Sequence, residues 1–176
     1  MLDTTVLIDA STNDQFAQYL VQLVNNFEFL LYTIPSAQYE FTRMAKSAKA
    51  RTQYDNLISE LKIAIIGGLE TKINDEAVKE FLLIYNNCIN QQRGQKKAPS
   101  YTDSLLCLSL FLRSEKTEKL MLMSANHKDM PIEFFNREDV ITIACGNNIS
   151  NECIYSFNQE KYQHIVAKYQ RHEQKK

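Results

Sequence analysis

The sequence has almost no net charge: 20 Lys and Arg stand against 21 Asp and Glu in 176 residues, a formal charge of −1. A chain without a positive excess has no overall attraction for phosphate, which excludes a general nucleic-acid coat protein but leaves room for a local basic groove. Long apolar runs are missing too. The longest, Leu61 to Leu69, is interrupted by Lys62 and by Gly67-Gly68, far short of the ~18 residues a membrane span needs, so no membrane association is expected. Met1-Leu2-Asp3 is acidic and too short for a signal peptide. Closely spaced cysteine pairs are absent. Cys88, Cys107, Cys145 and Cys153 are scattered, Cys107 within an apolar helical stretch. Reduced core thiols in a cytoplasmic protein are therefore expected rather than disulfides or a zinc site. Internal repeats and low-complexity segments are also lacking.

What is present suits a globular chain. A 44% hydrophobic share supports a packed core, and 23% charged residues are ordinary for a soluble domain, which excludes intrinsic disorder. The length fits one domain, or one domain with an elaboration, since domains cluster at roughly 100–150 residues.

Along the chain, the β-branched apolar run Thr5-Val6-Leu7-Ile8 follows an aspartate and reads as strand. A helix is expected from about Asp14 to Asn26, with Phe16, Tyr19, Leu20, Leu23 and Val24 at helical spacing. Phe29 to Ile34 reads as a short buried strand. Pro35 then takes the first-turn position that helices accept, with helix continuing from Ser36 to Lys49. Further helices are expected from about Thr52 to Ile66, ended by Gly67-Gly68, and from Asp75 to about Asn90, capped by Asn74. Gln91 to Pro99 reads as a polar, basic loop and Thr102 to Arg113 as helix. Lys119 to Ser124 and Val140 to Ala144 read as strands, followed by a strand between Asn148 and Phe157 and a surface helix from Gln159 to Arg171. Strands separated by helices indicate an α/β class with a parallel sheet.

Most of the acids are ordinary surface residues, but four stand where a charge needs a reason. Asp3 begins an apolar run, and Glu40 lies one turn into the helix after Pro35. Asp103 is in the first turn of an otherwise apolar helix, and Asp129 is in the loop after a buried strand. In an open parallel sheet, strand-to-helix junctions share the edge where ligands bind, so these four are expected to converge on one rim. Clustered carboxylates repel one another and desolvate poorly unless a cation sits between them. An all-oxygen set suits Mg²⁺ or Mn²⁺ rather than zinc. Each acid also has a plainer explanation. Asp3 could cap a turn, Asp103 could sit at the positive end of a helix, Glu40 could pair with Arg43, and Asp129 could be a loop aspartate.

Four local strings occur in order: Met1-Leu2-Asp3-Thr4-Thr5-Val6-Leu7-Ile8, Pro35-Ser36-Ala37-Gln38-Tyr39-Glu40-Phe41, Tyr101-Thr102-Asp103-Ser104-Leu105-Leu106, and Leu122-Met123-Ser124-Ala125-Asn126-His127-Lys128-Asp129-Met130-Pro131. Together they resemble the PIN-domain family of metal-dependent nucleases, known best as the ribonuclease toxins of toxin–antitoxin pairs. The resemblance covers about residues 1 to 145 and implies a three-layer α/β fold, a central mostly parallel sheet flanked by helices. Within it, about 67–100 would be an elaboration, and 146–176 a strand and helix extending the same domain. Only Met1 and Leu2 precede Asp3, so the chain is expected to begin within the first strand or to be a piece of a longer protein.

The resemblance also assigns roles. Asp3, Glu40, Asp103 and Asp129 would hold one or two Mg²⁺ or Mn²⁺ ions, with Glu40 assisting deprotonation of the attacking water. Thr5 and Ser124 would orient carboxylates. Asn126 stands where many members carry an aspartate; it offers an oxygen without charge and leaves Asp129 to supply the last negative group. At ~100° per residue, Arg43, Ser47 and Arg51 would fall near the Glu40 direction on one continuous helix, a basic stripe for a phosphate backbone. Arg93, Lys96 and Lys97 would form a second bank, unless they are solvated surface charges. His127 sits beside the site loop, where an exposed histidine is more often incidental. The implied substrate is RNA, with a non-cutting RNA- or protein-binding module and a DNA-directed nuclease as alternatives. In the toxin branch a small antitoxin protein is the implied partner. Many members form homodimers, for which the apolar face of the Asp14–Asn26 helix could serve, although core packing explains the same residues.

Overall fold

In the computed structural model, which describes residues 1–45, 47–92, 98–114, 120–145 and 148–173, the chain becomes helical directly after Asp3. Helix α1 spans Thr4–Thr12, so the strand expected over Thr5 to Ile8 is helix. Asp3, in an extended conformation, accepts the amide hydrogen of Thr4 and caps it. Val6, Leu7 and Ala10 are buried at helical spacing, because α1 packs against three other helices. Burial on that face overrides the β preference of a short β-branched run.

The chain divides into two compact units. The first comprises residues 1–67, 122–125 and 140–153. In it α1 packs against α2 (Asp14–Phe27), α3 (Pro35–Met44) and α4 (Ala48–Glu60). The Asn13 side chain caps α2 by accepting from the amides of Gln15 and Phe16. Glu28, in the left-handed region at φ 55°, ends it. The helix expected from Ser36 to Lys49 stops at Met44. Ala45 is extended, and Ser47 starts α4 by accepting the Ala50 amide hydrogen at 3.1 Å. Phe41 stacks on Tyr54 at 4.1 Å between ring centroids and joins the two helices.

Helix α4 in turn ends before the expected Ile66. Lys62 takes a positive φ of 48°, and the isoleucine-rich segment beyond it carries strand β2 (Ala64–Ile65). This strand pairs in parallel with β1 (Tyr32–Thr33), with Tyr32 opposite Ala64. The Met1–Asp3 segment runs alongside: Leu2 donates its amide hydrogen to the Tyr32 carbonyl at 2.7 Å and forms a parallel bridge with Met123.

The second unit comprises residues 68–121, 126–139 and 154–176. It contains α5 (Glu76–Gln92), α6 (Tyr101–Arg113) and α7 (Gln159–Glu173). Phe81 of α5 is fully buried. It stacks on Phe111 of α6 at 4.5 Å and lies about 6 Å from the rings of Tyr85, Phe134, Phe157 and Tyr162. Cys88 and Cys107 here, and Cys153 in the first unit, are buried and form no disulfide among the described residues.

Strand β3 (Met121–Ser124) and the hairpin β4 (Phe135–Cys145) and β5 (Asn148–Phe157) form a three-stranded antiparallel sheet in the order β3-β5-β4. The hairpin belongs to both units, residues 140–145 and 148–153 to the first and the remainder to the second. The architecture is therefore mixed α/β, with seven α-helices among the described residues and two small sheets, one parallel and one antiparallel. Among the described residues the expected central, mostly parallel sheet appears only as the two-residue β1–β2 pair and the Leu2–Met123 bridge. Among the described residues no helix is long and apolar enough to cross a membrane.

Candidate acidic site

Within the first unit, Asp3 is the centre of a hydrogen-bonded group. Its carboxylate is 3% exposed. Oδ1 accepts from the Thr4 amide, and Oδ2 accepts from the hydroxyls of Thr5 at 3.1 Å and Ser124 at 2.6 Å. The Ala125 amide donates to the Thr5 hydroxyl at 3.2 Å, tying the end of β3 to the first turn of α1. The Thr4 hydroxyl donates to Glu40 Oε2 at 3.1 Å. Thr4 thus links the two acids: its amide holds Asp3 and its hydroxyl holds Glu40. The sequence reading passed over Thr4, although adjacent hydroxyl residues after an acid cap were a usable signal.

A second group lies in the second unit. Ser100 and Asp103 form a capping box at the start of α6: Asp103 donates its amide hydrogen to Ser100 Oγ at 3.0 Å, while Asp103 Oδ2 accepts from the Ser100 amide at 3.2 Å and hydroxyl at 2.6 Å. Asp103 Oδ1 accepts from the Asn126 amide group at 3.2 Å, and the same nitrogen donates to Asp129 Oδ2. Asn126 therefore bridges the two acids as a donor, a role the sequence reading, which considered only its oxygen, did not assign. Asp129, 3% exposed, lies in a short 3-10 turn (His127–Asp129). Its carbonyl accepts from the Tyr85 hydroxyl at 2.9 Å and faces Cys107 Sγ at 3.8 Å. Burial, with Cys107, Asp129 and Asp103 adding to it, pushes the Tyr85 hydroxyl pKa far up and keeps it a donor. His127 is exposed and its Nδ1 lies 2.9 Å from the Tyr155 hydroxyl.

The structure thus brings Asp3 and Glu40 together in one unit, and Asp103, Asn126 and Asp129 in the other. Among the described residues no three His, Cys, Asp or Glu side chains are grouped closely enough to hold a metal ion. The spacers are visible: Thr4 separates Asp3 from Glu40, and the Asn126 amide separates Asp103 from Asp129.

The basic stripe does not form as expected. Arg43 lies on α3, Ser47 caps α4 and Arg51 lies on α4, and the break at Ala45 removes the single helical phase that would have aligned them. Both arginines are exposed. Arg93, Lys96 and Lys97 lie outside the described residues.

One acid was missed altogether. Glu152, on β5 within the first unit, is 0% exposed, and among the described residues neither carboxylate oxygen makes a hydrogen bond of standard geometry. Burial pushes its pKa up to about 8, with a side-chain hydrogen-bonding contact with Asp9, then the charges of Asp9 and Asp3, acting in the same direction; the Ser150 hydroxyl acts the other way. In metal-free buffer the folded chain accordingly carries a proton on Glu152 that the unfolded chain, near its ordinary 4.5, has lost. Stability therefore falls as pH rises from about 4.5 towards 8 through this group. Glu152→Gln is expected to flatten that part of the profile in urea titrations made in EDTA; an unaltered slope would refute it. Acids in a strand usually face solvent, so nothing in the local sequence marked this one.

Comparison with protein-family models, with curated proteins and with solved structures finds no match for this chain.

Proposed function

We propose that this chain is a divalent-metal-dependent nuclease that hydrolyses phosphodiester bonds of RNA. The observation that carries the reading is the setting of Asp3: a carboxylate 3% exposed, aimed by the Thr4 amide and by the Thr5 and Ser124 hydroxyls, and linked through Thr4 to Glu40. Such donors fix the direction of a carboxylate without adding a positive charge, which is the support a cation ligand needs. The acids offer oxygen only, which fits Mg²⁺ or Mn²⁺. Asp3, Glu40, Asp103 and Asp129 would hold the ion or ions, which supply Lewis acidity and a bound water of lowered pKa. Thr5 and Ser124 hold Asp3, and the Asn126 amide bridges Asp103 and Asp129. The fold that accompanies this reading is the PIN-like three-layer arrangement; the parallel pairing of β1 with β2 and of Leu2 with Met123 supports it.

A second reading, an RNA- or protein-binding module that does not cut, draws on one specific observation. Asp103 Oδ2 already serves the α6 capping box, and the Asn126 amide occupies Asp103 Oδ1 and Asp129 Oδ2. Incubating the chain with labelled single-stranded RNA in Mn²⁺ and in EDTA separates the two, and single-stranded DNA in the same assay tests the DNA-directed alternative. Retained RNA with no Mn²⁺-dependent cleavage would replace the nuclease reading with the binding module. A small antitoxin offering a basic residue to the acids, and a homodimer, belong to the toxin form of this proposal. A small open reading frame directly upstream would support the former.

Asn126→Asp provides a sharper test. It replaces a donor amide by a third carboxylate beside Asp103 and Asp129. In EDTA the variant is expected to be less stable by about 1–3 kcal/mol, through the lost donor and the added repulsion. In Mn²⁺ it should gain more thermal stability than the parent chain. An equal or smaller Mn²⁺ response would argue against a cation between these side chains.

A further inference from the structure

Helix α7 carries a charge pattern that the nuclease reading does not use. Lys161, His164, Lys168 and Arg171 follow one another at intervals of three, four and three residues, and all four are exposed. At ~100° per residue they fall within about 80° of the helix surface. No Asp or Glu occurs from Lys161 to Arg171; Glu160, in the first turn, borders the stripe at its start. Another face of the helix does the packing. Tyr162 is buried, its ring 5.3 to 5.9 Å from those of Phe81, Phe111, Phe134 and Phe157. Ile165, Val166 and Tyr169, on the same face as Tyr162, are half-buried.

Among the described residues none of the four basic side chains forms an ion pair. Lys161 donates from Nζ to Asn136 Oδ1 at 2.9 Å, and an ammonium has two further donors to offer. Lys168 and Arg171, three apart on the helix, repel each other weakly, so the stripe does not serve the fold. A polyanion is its complement. From Lys161 to Arg171 the helix rises about 15 Å, enough to follow an extended strand past more than one phosphate. Arg171 offers a planar fork of donors and the two lysines offer point charges, both of which phosphate oxygens accept. A membrane surface fits less well. A helix that lies on lipid inserts its apolar face, and here Tyr162 of that face is built into the ring cluster of the second unit. Asp103 and Asp129 belong to the same unit. Arg43 and Arg51 stand on two separate helices, whereas α7 keeps its four basic residues on one.

We propose that the α7 face formed by Lys161, His164, Lys168 and Arg171 binds the phosphate backbone of single-stranded RNA; the choice of RNA among polyanions rests on the nuclease reading.

The test is fluorescence anisotropy of a labelled single-stranded RNA titrated with the full chain in EDTA, at several salt concentrations. EDTA keeps metal-dependent cleavage off, so binding is read apart from cutting. The triple variant Lys161→Gln, Lys168→Gln, Arg171→Gln is expected to bind at least roughly 10-fold more weakly at low salt. Its slope of log affinity against log salt should be smaller by about 2, since each phosphate contact on a single strand contributes about 0.7. Gln is about as good a helix former as Lys or Arg, and circular dichroism checks the fold. Should the triple variant fail to fold, the pair Lys168→Gln and Arg171→Gln carries the test, with a slope smaller by about 1.4. As a control, Lys62→Gln, Lys72→Gln and Lys79→Gln together remove the same charge from elsewhere, and should change affinity less than about 3-fold because salt screens distant charges.

Unchanged affinity and slope in the α7 variants overturn the proposal, as does an equal loss in the control triple or a parent chain that binds no RNA. A parent that binds phosphatidylserine vesicles but not RNA overturns it in favour of a lipid surface. The outcome is separable from the nuclease reading. RNA held through α7 without Mn²⁺-dependent cleavage would sink only the nuclease assignment, and a cleaving parent whose α7 variants bind RNA unchanged would sink only this one.

Discussion

Asp103→Asn is expected to lower Mg²⁺- or Mn²⁺-dependent RNA cleavage by roughly 100-fold or more, as removal of a charged metal ligand does, while changing stability by less than about 1 kcal/mol. The small stability change follows from the capping box. Asn keeps an oxygen that can accept from the Ser100 amide and hydroxyl, which now donate to Asp103 Oδ2 at 3.2 and 2.6 Å, and Asn is tolerated near helix starts. What the substitution removes is the charge, along with one of the two acceptors that hold the Asn126 amide. Ser100→Ala is the matching control. It loses a cap, at a cost of about 1 kcal/mol, but leaves the carboxylate in place, so cleavage should persist. If Asp103→Asn cuts RNA as fast as the parent chain, Asp103 is a helix cap and the nuclease assignment loses one of its acids.

Phe81→Ala is expected to cost about 3–5 kcal/mol of folding stability, against a total of about 5–15 kcal/mol for a typical domain. Phe81 is fully buried, stacks on Phe111 at 4.5 Å, and has Phe134, Phe157 and Tyr162 within about 6 Å. These partners come from α6, the segment before β4, the end of β5 and the start of α7, so the ring joins most elements of the second unit. The site of Asp103 and Asp129 is borne by the same unit, with Tyr85 stacked on Phe81 and donating to the Asp129 carbonyl. Urea unfolding followed by fluorescence of the nine tyrosines and by circular dichroism should show a lower midpoint. A loss below about 1 kcal/mol would mean that the ring cluster repacks around the gap.

Much of the layout was legible in the sequence where a pattern is local. The amphipathic spacing of Phe16 and Leu20 located α2, the apolar run after Tyr101 located α6, and α7 begins at Gln159 as expected. The strand expected between Asn148 and Phe157 is present and long. Three of the four singled-out acids stand at element starts or turns: Asp3 caps α1, Asp103 is in the first turn of α6, and Asp129 ends a 3-10 turn, while Glu40 lies within α3, beyond its first turn. Helix caps, first turns and amphipathic faces arise from neighbours a few residues apart, so composition and spacing carry them.

What the sequence alone determined, then, is the succession of helices after α1 and the chemistry available at their ends. Tertiary structure decided the rest. Thr5 to Ile8 became helix because α1 buries Val6 and Leu7 against other helices, a gain larger than the β preference of four residues. The basic stripe broke because Ala45 turns the chain and Phe41 stacks on Tyr54 of the next helix. Glu152 and Asp9, 143 positions apart in sequence, influence one another only because β5 is laid beside β3 and the hairpin is tied back to Asn13. A near-zero net charge says nothing about such a pairing. Charge sums are set by composition, whereas the cost of a buried carboxylate depends on which groups the fold places next to it.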